Sequence, residues 1–151
     1  MHTPIRIERI EIESLGTAFD LLRRSFDEEG FDAPDETMHS ALATLLTSES
    51  SAVFVAFCGG QAQGVATVTT SVGIEYGHSA ELEDLYVLPQ ARGKGIASGL
   101  IDAVCSWCRE QSCATVLVTV TPEGETAHGL VDYYQRQGFV NTKRVILARS
   151  L

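Results

Sequence analysis

The residues best placed for chemistry form a short turn, Gln90-Ala-Arg-Gly-Lys-Gly-Ile-Ala97, with glycines at 93 and 95. Glycine lets backbone approach a ligand without a Cβ in the way. An amphipathic helix begins at once, so the N–H groups from Gly93 to Ala97 lie at the positive end of its dipole. Geometry of that kind binds phosphate or pyrophosphate. Arg92 and Lys94 add positive charge where an anion would sit. Two commoner phosphate loops are set aside. A dinucleotide fingerprint needs a small Gly or Ala where this chain has Ser98, and the Gly-x4-Gly-Lys-Ser/Thr loop is absent. Metal chemistry finds little support: Cys105-Ser-Trp-Cys108 falls inside the helix with no second pair, and His2, His39, His78 and His128 lack ligand spacing.

The turn needs a strand before it and a helix after it, and the pattern supplies both. Ser79 to Leu88 reads as a strand stopped by Pro89. Gly95 to Gln111 reads as a helix whose Ile96, Leu100, Ile101, Val104, Trp107 and Cys108 share one apolar stripe. Upstream, Ile5 to Ile12 predicts a first strand with one irregular step, and Leu15 to Glu28 a helix ended by Gly30. Pro34 and Asp35 open a second helix carrying Met38, Leu42, Leu45 and Leu46. Ser51–Phe57 and Gly64–Thr70 flank Gly59-Gly60, the pattern of a hairpin. Downstream, Thr115 to Val120 predicts a buried strand and Thr121 to Glu125 a polar loop. A last helix passes through Leu130, Val131 and Tyr134 to Gly138, and Val140 to Leu151 closes as a strand. The expected fold class is α/β: one domain over residues 1–151, with a central, mixed, mostly antiparallel sheet flanked by helices.

The chain has 151 residues, 44% of them hydrophobic, and a domain of ~150 residues buries roughly two thirds of its unfolded surface. With 11 Lys and Arg against 20 Asp and Glu, the net charge is −9. That balance argues against a nucleic-acid partner and fits a cationic one. No apolar run approaches the ~20 residues of a membrane span. Met1 to Glu13 lacks a signal-like apolar region, and four cysteines without such a region read as free thiols. The chain is expected to be soluble and cytoplasmic, with no membrane partner.

Leu85-Tyr-Val-Leu-Pro-Gln-Ala-Arg-Gly-Lys-Gly-Ile-Ala97 resembles the signature of the GNAT superfamily of acetyl-CoA-dependent N-acetyltransferases. Asp132-Tyr-Tyr-Gln-Arg-Gln-Gly-Phe139 is similar to that family's tyrosine-to-Gly-Phe ending, with a helix and a strand between the two motifs. The resemblance implies acetyl-CoA as cosubstrate and no metal. It places the coenzyme pyrophosphate on Gln90, Arg92, Gly93, Lys94, Gly95, Ile96 and Ala97. It pairs the pantetheine arm with the backbone of Leu85, Tyr86 and Val87, on a strand that splays from its neighbour and leaves an N–H near Val87 for the thioester carbonyl. Tyr134 matches the family's general acid, which protonates the leaving thiolate. Tyr133 reads as a packing or surface residue. Glu83 matches the base of polyamine acetyltransferases, Asp84 an aspartate of type I aminoglycoside 3-N-acetyltransferases, and Glu81 a more distant glutamate. Strand alternation argues that the three cannot all face one amine; Glu83 is the first choice as base and Asp84 the second, and each is equally readable as a surface carboxylate. Ala127 stands where many relatives have an asparagine contacting pantetheine, a place Thr126 or His128 would have to fill.

The acidic stretch Asp27-Glu28-Glu29, Asp32, Asp35 and Glu36 either draws a cationic acceptor or is a solvated connector. The acceptor expected from this likeness is a small polycationic amine. An aminoglycoside of the 3-N branch comes first, a polyamine second, and a non-catalytic acyl-CoA-binding module is the alternative of another class. Dimers are usual in the superfamily, and a homodimer is an expectation from that alone.

Overall fold

A computed structural model describes residues 3–151; Met1 and His2, part of the N-terminal and histidine readings above, lie outside them. The chain divides into two compact units, residues up to Thr119 and residues from Val120 on.

The first unit runs β1 (Ile5–Arg9), α1 (Leu15–Glu29), α2 (Asp35–Thr47), β2 (Ser51–Cys58), β3 (Gln61–Gly73), β4 (Gly77–Val87), α3 (Ile96–Glu110) and β5 (Thr115–Val118). The sheet order follows the chain, β1-β2-β3-β4-β5. The first three pairings are antiparallel and β4–β5 is parallel. Gly59 and Gly60, at φ of 61° and 79°, make the turn between β2 and β3 that a two-residue hairpin demands. Gly30 (φ 78°) ends α1, its N–H donating to the Phe26 carbonyl. The predicted stripe of α3 is buried in full, and each such side chain contributes about 1.5–3 kcal/mol. Among the described residues, no helix is long and apolar enough to cross a membrane.

Gly64 sets how closely α3 can lie on the sheet. A Cβ there would stand 3.0 Å from Ile96 Cγ2, 3.1 Å from Leu100 Cδ1 and 3.1 Å from the Tyr86 carbonyl oxygen. This face of β3 therefore meets α3. The next residue, Val65, faces the other way and is registered with Tyr86, whose hydroxyl reaches Glu28 of α1. The two helical layers thus cover opposite faces of the sheet.

In the second unit the polar loop expected over Thr121–Glu125 is instead the start of a helix, α4 (Pro122–His128). Thr121 caps it by accepting from the Gly124 N–H at 3.0 Å, and Pro122 occupies the first turn, where no donor is needed. α5 (Leu130–Arg136) follows, and after it Gly138 adopts φ 96° while Phe139 N–H returns to the Tyr134 carbonyl at 3.0 Å. The strand expected over Val140–Leu151 does not form. Among the described residues that segment pairs with no strand, and Val140, Val145, Ile146 and Leu147 are exposed. Strand propensity expresses a fit to a pleated, half-buried surface and yields a strand only where an edge receives it.

Candidate active site

β4 carries the site, and one irregularity shapes it. Asp84 pairs with Thr67 and Leu82 with Val68, so Glu83 is an extra, bulged residue. Directly opposed antiparallel residues share a face. Glu81, opposite Thr69, and Asp84, opposite Thr67, therefore lie on the same side, because Thr67 and Thr69 are two residues apart. Glu83 joins them: its Oε1 accepts from Thr69 Oγ1 at 3.0 Å, while Asp84 Oδ2 accepts from Thr67 Oγ1 at 2.5 Å. Glu81 Oε1 accepts from Thr119 Oγ1 at 3.2 Å. Simple alternation would set Asp84 on the face opposite Glu81 and Glu83. The bulge shifts the pattern by one residue and puts them on one face.

Burial pushes the Asp84 carboxyl above its ordinary value; the Thr67 hydrogen bond pulls it down and the neighbouring Glu83 charge pushes it up further. Burial, followed by the Glu83 charge, also raises Glu81. Both groups are thus held where ionisation is costly, a cost that a nearby cation relieves. Glu83 itself is exposed.

The other edge of β4 is open where the resemblance needs it. Among the described residues, β5 pairs only with Ser79–Leu82, and β4 continues to Val87. Leu88 N–H donates to Gln63 across to β3. Backbone groups alternate in direction along a strand, so those of Tyr86 face β3 as well, and those of Leu85 and Val87 face the open edge. Of the three residues expected to meet a pantetheine arm, Leu85 and Val87 thus turn their backbone groups to the open edge, and Tyr86 turns its own to β3.

The loop after β4 makes a 3-10 turn over Pro89–Ala91 and enters α3 through Gly93 (φ 78°) and Gly95 (φ 85°), conformations that favour glycine. Open space faces both glycines, and no side chain caps the helix start at Gly95. The first N–H groups of α3 have no carbonyl partner within the helix, which suits them to a pyrophosphate. Gln90 and Lys94 are exposed, Ile96 is buried in the α3 stripe and Ala97 is half-buried. Arg92 is committed elsewhere: its Nε donates to the Val87 carbonyl at 3.0 Å and its Nη2 to Glu28 at 2.8 Å.

Glu28 was legible only as one of an acidic run. That run is in part internally used, since Arg23 pairs with both Asp27 and Asp35 at 3.0 Å. Tyr134, on α5 in the second unit, is buried and packs edge-on against Tyr133 and Phe139, each with centroids 5.4 Å apart. Cys108 is a buried free thiol whose burial raises it to about 12. Among the described residues, no group of three or more His, Cys, Asp or Glu could hold a metal ion.

The acetyltransferase (GNAT) family model matches residues 15–139. The aminoglycoside N(6')-acetyltransferase type 1 of Salmonella typhimurium is 30% identical over 123 residues, 78% of this chain and 81% of that protein. Its namesake from Acinetobacter baumannii is 29% identical over 90 residues, 56% of this chain and 60% of that protein, so this match spans less than two thirds of the relative's length. The structure of AAC(6')-Iy in complex with the bisubstrate analog CoA-S-monomethyl-acetylneamine superposes with a TM-score of 0.86 at 25% identity, covering 99% of each chain. These relatives are 6'-enzymes, which corrects the 3-N branch expected from sequence. The chain belongs to the GNAT family of acetyltransferases.

Proposed function

We propose that this chain transfers the acetyl group of acetyl-CoA to a primary amine of an aminoglycoside, at the 6' position that its relatives' names specify. The observation that carries the reading is the open Leu85–Val87 edge leading into the uncapped start of α3. A thioester arm pairs with such an edge as an added strand does, and its pyrophosphate meets the helix N-terminus. The opposite-signed acceptor is drawn by the face that holds Glu81, Glu83 and Asp84. The family match spans both units, which supports reading residues 1–151 as one acetyltransferase domain.

In this reading Glu83, the exposed carboxylate of the three, takes a proton from the acceptor ammonium, directly or through water. The free amine attacks the thioester carbonyl, and the Val87 N–H holds the oxyanion that forms, a contact worth ~3–4 kcal/mol in comparable sites. The C–S bond then breaks, Tyr134, the acid that the resemblance implies, gives its proton to the departing thiolate, the attacking nitrogen yields its second proton through water to the tyrosinate left behind, and the amide product and free thiol leave. Transfer is direct. The Cys108 thiol, held protonated by burial, is unsuited to carry the acyl group.

The test is thiol release from acetyl-CoA with neomycin, with paromomycin, which bears a hydroxyl in place of the 6'-amine, and with spermidine. Release with neomycin alone is expected. Equal release with paromomycin would move the reaction to another amine. Release with spermidine alone would make the acceptor a polyamine, and binding of coenzyme without any release would favour a non-catalytic acyl-CoA module.

A further inference from the structure

Arg92 sits in the loop that a pyrophosphate would occupy, yet its side chain is engaged on the other side of it. The guanidinium Nε donates to the Val87 carbonyl at 3.0 Å, and Nη2 donates to Glu28 Oε1 at 2.8 Å. The remaining carboxylate oxygen of Glu28 accepts from the Tyr86 hydroxyl at 2.9 Å. The Arg92 guanidinium carbon lies 5.7 Å from the centroid of the Tyr86 ring. Glu28 therefore bridges two donors from the coenzyme strand and its loop, and it does so from the last turn of α1. Charge-assisted bonds of this kind are about twice as strong as neutral ones.

The position of the bonded carbonyl gives the network its meaning. Val87 presents its N–H and C=O to the open edge of β4. A strand added there would ordinarily use both, but Arg92 already fills the acceptor, so Val87 has only its N–H to offer. To reach a phosphate with those same donors, Arg92 would have to abandon both Glu28 and Val87.

We propose that Arg92 is a positioning residue and not a pyrophosphate ligand: clamped by Glu28 and Tyr86, it pins the Val87 carbonyl and so aims the N–H of the same residue at the thioester. The pyrophosphate is left to the loop backbone and Lys94. This inference rests on the reading that β4 carries the thioester arm.

Truncated donors separate the two roles. Acetyl-pantetheine keeps the thioester and the arm but lacks the pyrophosphate and nucleotide. Arg92→Met is expected to lower kcat/KM by the same factor, about ten- to a hundredfold, with acetyl-CoA and with acetyl-pantetheine, the loss falling mainly in kcat. Glu28→Gln, which keeps the shape and weakens the clamp, is expected to lower both in parallel by a smaller factor. It decides the matter alone if the melting curve shows that Arg92→Met does not fold. A loss confined to acetyl-CoA and seen as a raised KM would overturn the proposal and return Arg92 to the pyrophosphate. Wild-type protein inactive with both donors would overturn the acetyltransferase reading, and this proposal with it.

Discussion

Replacing Gly64 by alanine tests the link between core packing and the coenzyme edge. The added methyl would meet Ile96 Cγ2 at 3.0 Å, and Leu100 Cδ1 and the Tyr86 carbonyl oxygen at 3.1 Å each. Ile96 and Leu100 are buried at 2% and 0% exposure, so neither can swing into solvent. Overpacking of a tight core costs roughly 1–3 kcal/mol. Gly64 does not occupy the left-handed region, so alanine also gains about 0.4–1 kcal/mol from a less flexible unfolded chain. The net expectation is a loss of about 1–2 kcal/mol, which lowers Tm by roughly 2–8 °C in a chain of this size. Because one of the crowded atoms belongs to Tyr86, beside Val87, the KM for acetyl-CoA should rise as well. Gly16 is the control: a Cβ there meets nothing within 4 Å, and its place in α1 makes alanine favourable by ~0.5 kcal/mol. Urea unfolding of both variants gives the comparison. Gly64→Ala as stable as wild type, or Gly16→Ala destabilised to the same degree, would refute the packing argument.

Tyr134→Phe should lower kcat by ~10²–10⁴-fold while leaving coenzyme affinity, measured by calorimetry, close to wild type. Asp84 has a raised folded value, so its contribution to stability is greatest in acid and is lost as pH rises through that value. Asp84→Asn should therefore gain stability relative to wild type between acid and neutral pH in denaturant unfolding, and a constant difference across that window would contradict the assignment. Thr67→Val removes the hydrogen bond that holds the Asp84 carboxyl down, so the Asp84 titration followed by NMR should move to higher pH. Glu83→Gln should depress kcat/KM for the amine most at low pH, where the acceptor carries its proton, and an unchanged pH profile would remove Glu83 as base.

The elements around the site could be read from sequence because their signals are local. The α3 stripe, Gly30 after α1 and Gly59-Gly60 between β2 and β3 each act within a few residues, and each is where periodicity put it. What escaped depends on partners. A bulge at Glu83 is a property of the β3–β4 register, which no residue of β4 announces, so strict alternation sets Asp84 on the face opposite Glu81 and Glu83, where the structure does not have it. Gly64 looked like an ordinary hairpin residue until α3 lay against it. The Glu28–Arg92 pair joins positions far apart in sequence, and neither charge signals the other. Pro122 and Gly124 read as loop residues, although a threonine before a proline is equally a helix start. Val140–Leu151 has strand composition, but composition cannot supply an edge to pair with.

Amide hydrogen exchange read residue by residue, with and without coenzyme A, addresses the coenzyme edge most directly. The N–H groups of Leu85, Val87 and the Gly93–Ala97 segment should slow on coenzyme addition, while Tyr86, already bonded within the sheet, stays as it was. Slowing that spares Leu85 and Val87, or that appears only on the Glu81–Asp84 face, would place the thioester arm elsewhere and contradict the account.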